Sequence, residues 1–449
     1  MSQLATHISQ TRLIDTHEHL HSEQQFVEQG PDLLQDLFDN YVAADLRVAG
    51  ASEDAVRRLL DASDPDLAGR LKGVRDAWQR CRHTGYGEAV RLLARQVYDI
   101  AEIAELTPAQ LEAAQARNRE LRRPGERLRL LRDVANLDHV QVDNFVWECP
   151  PDASGPDFFL YDLSWVGFCR GKVEAPAIYD AVGIAVEGID SLRRAIEALF
   201  AKHGPLAIAV KSQHAYERTL LWEERSDADA ERALLRQLGG KELSEGERLC
   251  LGDWCMARGV EQAIAHNLPF KIHTGYYAGT GRMPVERIRP GHLCALLMCY
   301  PKARFVLMHN AYPYSDELIA IAKHYPNVYI DMCWAWSIDP YSACDTLRRT
   351  IHAVPSNKVF VFGGDAFWPS ASVAYAAQAR AWLSRALEAE VNDGLLNERE
   401  AMAYATRLMR ENQLDCFDVA GRRAALLAAA HRAGSEPPST SVTATRPAR

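Results

Sequence analysis

The chain has 449 residues, 47% of them hydrophobic and 25% charged, with a net charge of −9. A chain of this size buries a core without disulfides or structural metals, and its acidic balance excludes the electrostatic footprint of a nucleic-acid binder. Ten cysteines with no CxxC pair argue against a zinc ribbon or disulfide framework and for a reducing compartment. The opening MSQLATHISQTR lacks the apolar centre of a signal peptide, and no stretch approaches the ~18 apolar residues of a membrane span. A cytoplasmic protein without membrane contact is the expectation.

In chain order, Arg12–Asp15 reads as a first strand leading into a polar motif. Residues 31–135 then lack β-branched runs, and Val90, Leu93, Val97 and Ile100 follow the helix period. They are predicted to form a helical insertion covering whatever lies at the end of that strand. The basic cluster Arg117–Arg132, interleaved with Glu120 and Glu126, reads as a solvated helix face. His139–Val142 and Phe158–Trp165 are predicted as the second and third strands. Five more apolar runs follow: Leu206–Val210, Phe270–His273, Arg304–His309, Val328–Met332 and Val359–Phe362. Most start after a turn residue (Pro205, Pro269, Asn327, Asn357), and runs without alternation suit parallel strands buried on both faces.

Helical stretches separate them. Ser315 is a predicted cap ahead of Asp316 and Glu317, and Pro340 after Asp339 reads as a first helical position. Eight strands in this βα rhythm fit a closed (β/α)8 TIM barrel or a doubly wound sheet. No glycine-rich phosphate loop follows the first strand, which favours the barrel. Residues 1–30 and 136–433 are assigned to it, with 31–135 inserted and the Pro-, Ser- and Thr-rich 434–449 expected to lack order.

The first strand runs into Asp15-Thr16-His17-Glu18-His19-Leu20. Residues two apart along a strand point to the same side, so His17 and His19 can address one cation, whereas two adjacent buried imidazoles are costly in an ordinary core. Other polar residues also stand at predicted strand ends: Lys211, His273, His309, and Asp365 after Gly363-Gly364. Each alone has a plain reading as a hydrogen-bonded or capping group. In a barrel all strand ends meet on one face, which makes the five positions one constellation.

These motifs resemble the amidohydrolase superfamily, nearest to its branch of uronate isomerases, FluG-like domains and related decarboxylases. Asp-Thr-His-Glu-His-Leu, the His273-Thr-Gly stretch, Phe-Val-Leu-Met-His309 and Gly-Gly-Asp365 carry the likeness, with Lys211-Ser212 and Ala215-Tyr216-Glu217-Arg218 also similar to FluG-like members. The resemblance implies metal ligation by His17, His19, His273 and Asp365. It implies His309 as a second-metal ligand or a positioned acid, and Lys211 either as a carboxylated bridge between two ions or as a contact to an acidic substrate. One divalent ion is favoured over two. Zinc is expected, with manganese, iron and nickel as alternatives. Asp365 would then move the proton of a metal-activated water, giving hydrolysis of a C–N or related bond in a small molecule. The alternative is a non-hydrolytic isomerase or decarboxylase of an acidic substrate on the same frame. A homo-oligomer is expected from the family. Trp334, Trp336 and Trp368 are candidate pocket walls, and Arg282 and Arg287 candidate carboxylate binders.

Overall fold

A computed structural model of the chain describes residues 2–435; the final helix reaches Ser435, and the remainder of the segment expected to lack order lies outside the described residues. The strands are β1 (Leu13–Glu18), β2 (Leu137–Val142), β3 (Phe159–Tyr161), β4 (Leu163–Ser164), β5 (Val210–Ser212), β6 (Phe270–Ile272), β7 (Phe305–Leu307), β8 (Val328–Asp331) and β9 (Val359–Phe360). All neighbours pair parallel. β3 and β4 are two halves of one barrel strand broken at Asp162, the first pairing with β2 and the second with β5. Closure comes from backbone bonds between the two ends of the chain's strand order: Thr16 N to Phe362 O (3.1 Å), Asp365 N to His17 O (2.9 Å) and His19 N to Ala366 O (3.0 Å). Eight strands thus form a closed (β/α)8 barrel. Nearly every strand residue is buried, as parallel strands covered on both faces require.

Two local expectations shift. The strand predicted at Leu206–Val210 begins only at Val210, because Leu206 N and Ala207 N still bond to His203 O and prolong the turn after the helix Ile189–His203. Lys211 therefore sits inside a strand and not at its end. Ser315 is the first residue of its helix, not the cap, and its hydroxyl donates to Asn310 O at 3.1 Å. Asp339 does cap the helix Pro340–Ala353, accepting from Ser342 N.

Between β1 and β2 the chain is helical from Glu23 to Val134, starting earlier than residue 31. Capping boxes at Ser22/Gln25, Asp32/Gln35 and Thr107/Gln110 begin three of these helices. They enclose buried Leu34, Leu37, Phe38 and Trp78, the last two rings meeting edge to face at 5.5 Å. Polar bonds dock the long helix Gly85–Tyr98 on Pro369–Asn392: Gln378 donates to Gly85 O (2.9 Å) and Trp382 Nε1 to Glu88 (2.9 Å). At the far end Arg127 departs from the solvated face expected of its cluster. It is buried, pairs with Asp152 at 2.9 Å and lies 3.7 Å over the Phe159 ring.

Inside the barrel, Lys271 of β6 donates to both Asp162 oxygens (2.9 Å each) and to Thr16 O (2.7 Å). All three ammonium protons are used, so the charge is compensated where no water reaches it. Among the described residues no helix is long and apolar enough to cross a membrane.

Candidate metal centre

The end of β1 is irregular in a way its sequence dictates. Register shifts between Asp15 and Glu18, and the Asp15 carboxylate takes over as acceptor for His17 N (3.1 Å) and Gly364 N (3.4 Å). The Glu18 carboxylate holds Ala366 N at 2.5 Å. These two acids stitch β1 to the loop after β9 and so aim His17, His19 and Asp365 at one point. Burial raises the pKa of Asp15 to about 7 and that of Glu18 well above the carboxylate range. Beside them, burial also lifts Asp331 at the end of β8 to about 7.

His17 Nε2, His19 Nε2 and Asp365 Oδ1 form a near-equilateral triangle with edges of 3.2, 3.3 and 3.4 Å. Ligands ~2.0–2.1 Å from a common centre lie roughly that far apart at tetrahedral angles. The protonation pattern fits as well. His19 Nδ1 is 2.7 Å from the Asp143 carbonyl, which only accepts, so Nδ1 carries the proton and Nε2 a lone pair. Two acceptors, His19 Nε2 and Asp365 Oδ1, therefore face each other at 3.4 Å, which a shared cation satisfies. Burial, then the charges of Lys211 and His19, push the His17 pKa well down and favour the neutral ring. Burial opposes ionisation of Asp365, but the His17 hydrogen bond and the neighbouring imidazoles outweigh it and hold its pKa well below the carboxylate range. The donor set thus fits a borderline divalent cation.

His273, expected as a further ligand, is not among the residues gathered there. Among the described residues the groups whose ligand atoms lie within 4.8 Å of one another are His17, His19 and Asp365, and His309, Cys333 and Asp365. The reason is local: His273 Nε2 donates to Tyr276 O at 2.9 Å, and its ring packs on Tyr216 (4.7 Å) and His309 (4.3 Å). His309 Nδ1 donates to Cys333 O at 3.1 Å, leaving a buried Nε2 without a partner. Burial lowers its pKa to about 4 and favours the neutral ring. Lys211 is 1% exposed and donates to Gln213 Oε1 at 3.1 Å; burial lowers its pKa, while Asp143, Asp365 and Asp162 pull the other way.

Backbone strain collects at the same face. His309, Trp334 and Asp365, which follow β7, β8 and β9, all have positive φ (62°, 62° and 56°) despite bearing side chains. Trp334 stands edge-on to His309 at 5.4 Å and against Tyr41 at 4.3 Å. Tyr41 comes from the helical segment, and its hydroxyl donates to the Asp365 carbonyl at 2.5 Å. Asn40, Tyr41, Arg47, Asp365, Trp368 and Tyr375 line a cavity of about 570 Å³. Trp336 is instead tied to Val361 O, Arg282 is exposed, and Arg287 lies 3.8 Å from Glu245. Sequence reasoning missed Cys333 and Tyr41. Cys333 follows a strand end as His309 does and could have been found by that rule; nothing local marks Tyr41.

The amidohydrolase family profile matches residues 190–398, a span holding Lys211, His273, His309, Cys333 and Asp365 but not β1. The matched span is a little under half of the chain. The chain is 26% identical over 228 residues to protein fluG of Emericella nidulans, an alignment covering 48% of the chain and 26% of that protein. It therefore spans about a quarter of the length of its curated relative. Its fold is similar to uronate isomerase of Thermotoga maritima (TM-score 0.73, 15% identity, 92% of this chain and 96% of that one). It also resembles glucuronate isomerase of Caulobacter crescentus (0.72, 16%, 92% of each). A Lactobacillus casei protein provisionally assigned as a metal-dependent hydrolase matches at 0.62 and 15%, over 94% of this chain and 99% of that one.

Proposed function

We propose that this chain is an amidohydrolase, a metal-dependent hydrolase acting with water on a C–N or related bond of a small molecule, with His17, His19 and Asp365 as the residues that hold the ion. The supporting observation is the convergence of those three donor atoms at 3.2–3.4 Å beside a buried, unpartnered His309 Nε2. A divalent ion bound there supplies Lewis acidity toward water and carbonyl oxygen at neutral pH, and zinc suits the nitrogen and carboxylate donors best. Asp365, ionised and held by His17 and by the Tyr41 bond to its own carbonyl, takes a proton from the attacking water and returns it to the leaving group. The lone pair of His309 Nε2 accepts a hydrogen bond from substrate or water and orients it. The helical segment between β1 and β2 supplies Asn40, Tyr41 and Arg47 to the cavity and acts as its cover, limiting bulk water.

One observation favours a second reading, an isomerase or decarboxylase of an acidic substrate: Arg47 lines that cavity, and the Lys211 charge in β5 reaches Asp365, which lines it too. The two readings separate in heavy-oxygen water. With a panel of small amides, lactones and sugar acids, a hydrolase incorporates solvent oxygen into product. Turnover of an acid without incorporation overturns the hydrolase reading.

A further inference from the structure

The walls of the cavity beside Asp365 are unusual in kind. Four of its sixteen lining residues, Tyr41, Phe367, Trp368 and Tyr375, carry aromatic rings, whereas Phe, Trp and Tyr make up 8% of the chain. The rest of its apolar lining is Ala and Gly, with no branched aliphatic side chain. The rings are also backed by others: Tyr41 by Tyr86 (5.4 Å) and Trp334 (4.3 Å), Trp368 by His21 (4.4 Å), and Phe367 by His19 (5.5 Å). These walls are therefore held in place before anything binds. Most of the polar lining is already committed to the protein. Asp36 accepts from Tyr98 and Ser370, Asn40 donates to Leu37 O and accepts from Val42 N, and Arg47 donates to Glu53 and Ala43 O. The Tyr41 hydroxyl is spent on Asp365 O. A polyhydroxylated substrate finds few partners in such a cavity, and a site selects for hydroxyl groups only where it offers them hydrogen bonds.

We propose that this cavity is a slot for a flat aromatic group, which makes the substrate a carboxamide carrying an aromatic ring. The inference deepens the hydrolase reading and rests on it for the reacting bond, whereas the slot rests on the walls alone. Aromatic faces and edges attract one another through their quadrupoles beyond what buried area supplies, and a saturated ring of the same size lacks that attraction. Apolar walls fix the body of a ligand, and a few convergent polar groups fix its reacting end. Asp365 lines the same cavity as the four rings, so the slot and the candidate ion adjoin. In the reaction, water gives its oxygen to the carbonyl carbon, the C–N bond breaks, and the leaving nitrogen takes the proton. The products are a carboxylic acid and an amine, one of them bearing the ring.

The test compares benzamide, cyclohexanecarboxamide and gluconamide on the zinc-loaded full chain, with dissociation constants from ligand-observed NMR titration. The first two share the carboxamide, and the saturated ring is the more hydrophobic, so a preference for benzamide reports ring contacts and not apolar area. Benzamide is expected to bind about tenfold tighter than cyclohexanecarboxamide, and gluconamide most weakly. Trp368→Leu and Tyr375→Leu should each erase most of that ratio, while Trp368→Phe keeps it. Equal binding of the two rings, tightest binding of gluconamide, or a ratio unchanged in both Leu variants overturns the slot and leaves the hydrolase reading intact. Turnover of an acid without solvent oxygen, with the benzamide preference intact, instead overturns the hydrolase reading and leaves the slot standing. Should one Leu variant fail to fold, the wild-type ratio and the other variant decide the matter.

Discussion

The barrel contains two buried lysines on neighbouring strands with opposite surroundings. Lys271 on β6 spends its three protons on Asp162 and Thr16 O and is closed off. Lys211 on β5 has one neutral hydrogen-bond partner, Gln213, and feels the charges of Asp143, Asp365 and Asp162 without bonding to them. The Lys271 charge is compensated by a carboxylate at hydrogen-bond distance, whereas the Lys211 ammonium has only a neutral amide there. An unpaired buried polar group costs stability, and at the mouth an ion or substrate can supply the missing partner. The contrast gives a way to test which buried residues hold the barrel together and which serve the proposed chemistry.

The sharpest break of that contrast is at the triangle itself. His17→Ala or His19→Ala is expected to lose the bound ion altogether in elemental analysis. In wild type a chelator should then lower the melting temperature, since an ion present at ~100–1,000 times its Kd stabilises by about 3–4 kcal/mol. The variants should not respond, and full metal content in either would sink the assignment of β1 to the site. Next comes Lys271→Met, which strands the Asp162 carboxylate; urea unfolding should show a loss of about 3–5 kcal/mol. A loss under ~1 kcal/mol would mean that the interior pair is no more essential than the mouth.

Asp36 offers a smaller effect with a defined pH sign. It lines the cavity beneath the helical segment, accepts from Tyr98 and Ser370, and burial raises its pKa to about 6. Between pH ~4 and 6 the folded state then binds more protons than the unfolded one, so stability falls as pH rises through that window. Asp36→Asn should gain up to about 2–3 kcal/mol at pH 8 and almost nothing at pH 4. Equal gains at both would refute the burial argument. Least affected should be Lys211→Met, which removes a poorly compensated charge; its unfolding free energy is expected within about 1 kcal/mol of wild type.

Much of the site was legible in residue order. The strand-end rule singled out His17, His19, His309 and Asp365, and the βα rhythm pointed to the barrel. It also singled out His273, whose Nε2 a turn instead gives to the Tyr276 carbonyl, a contact that residue order does not reveal. It misplaced Lys211 because the turn after His203 delays the predicted strand by four residues, to Val210. Tyr41 had no signal at all, lying 324 residues from the carbonyl it holds.

What the sequence by itself determined is the set of parallel strands and the chemical identity of the residues at their ends, because apolar runs and turn residues act over a few positions. Tertiary structure alone decided which donors share a cation. That depends on closure of β1 against the loop after β9, on Asp15 and Glu18 replacing the strand ladder, and on carbonyls that fix each imidazole's proton. Ligand sets are fixed by differences of a few tenths of an ångström, and such distances are set only when distant segments pack.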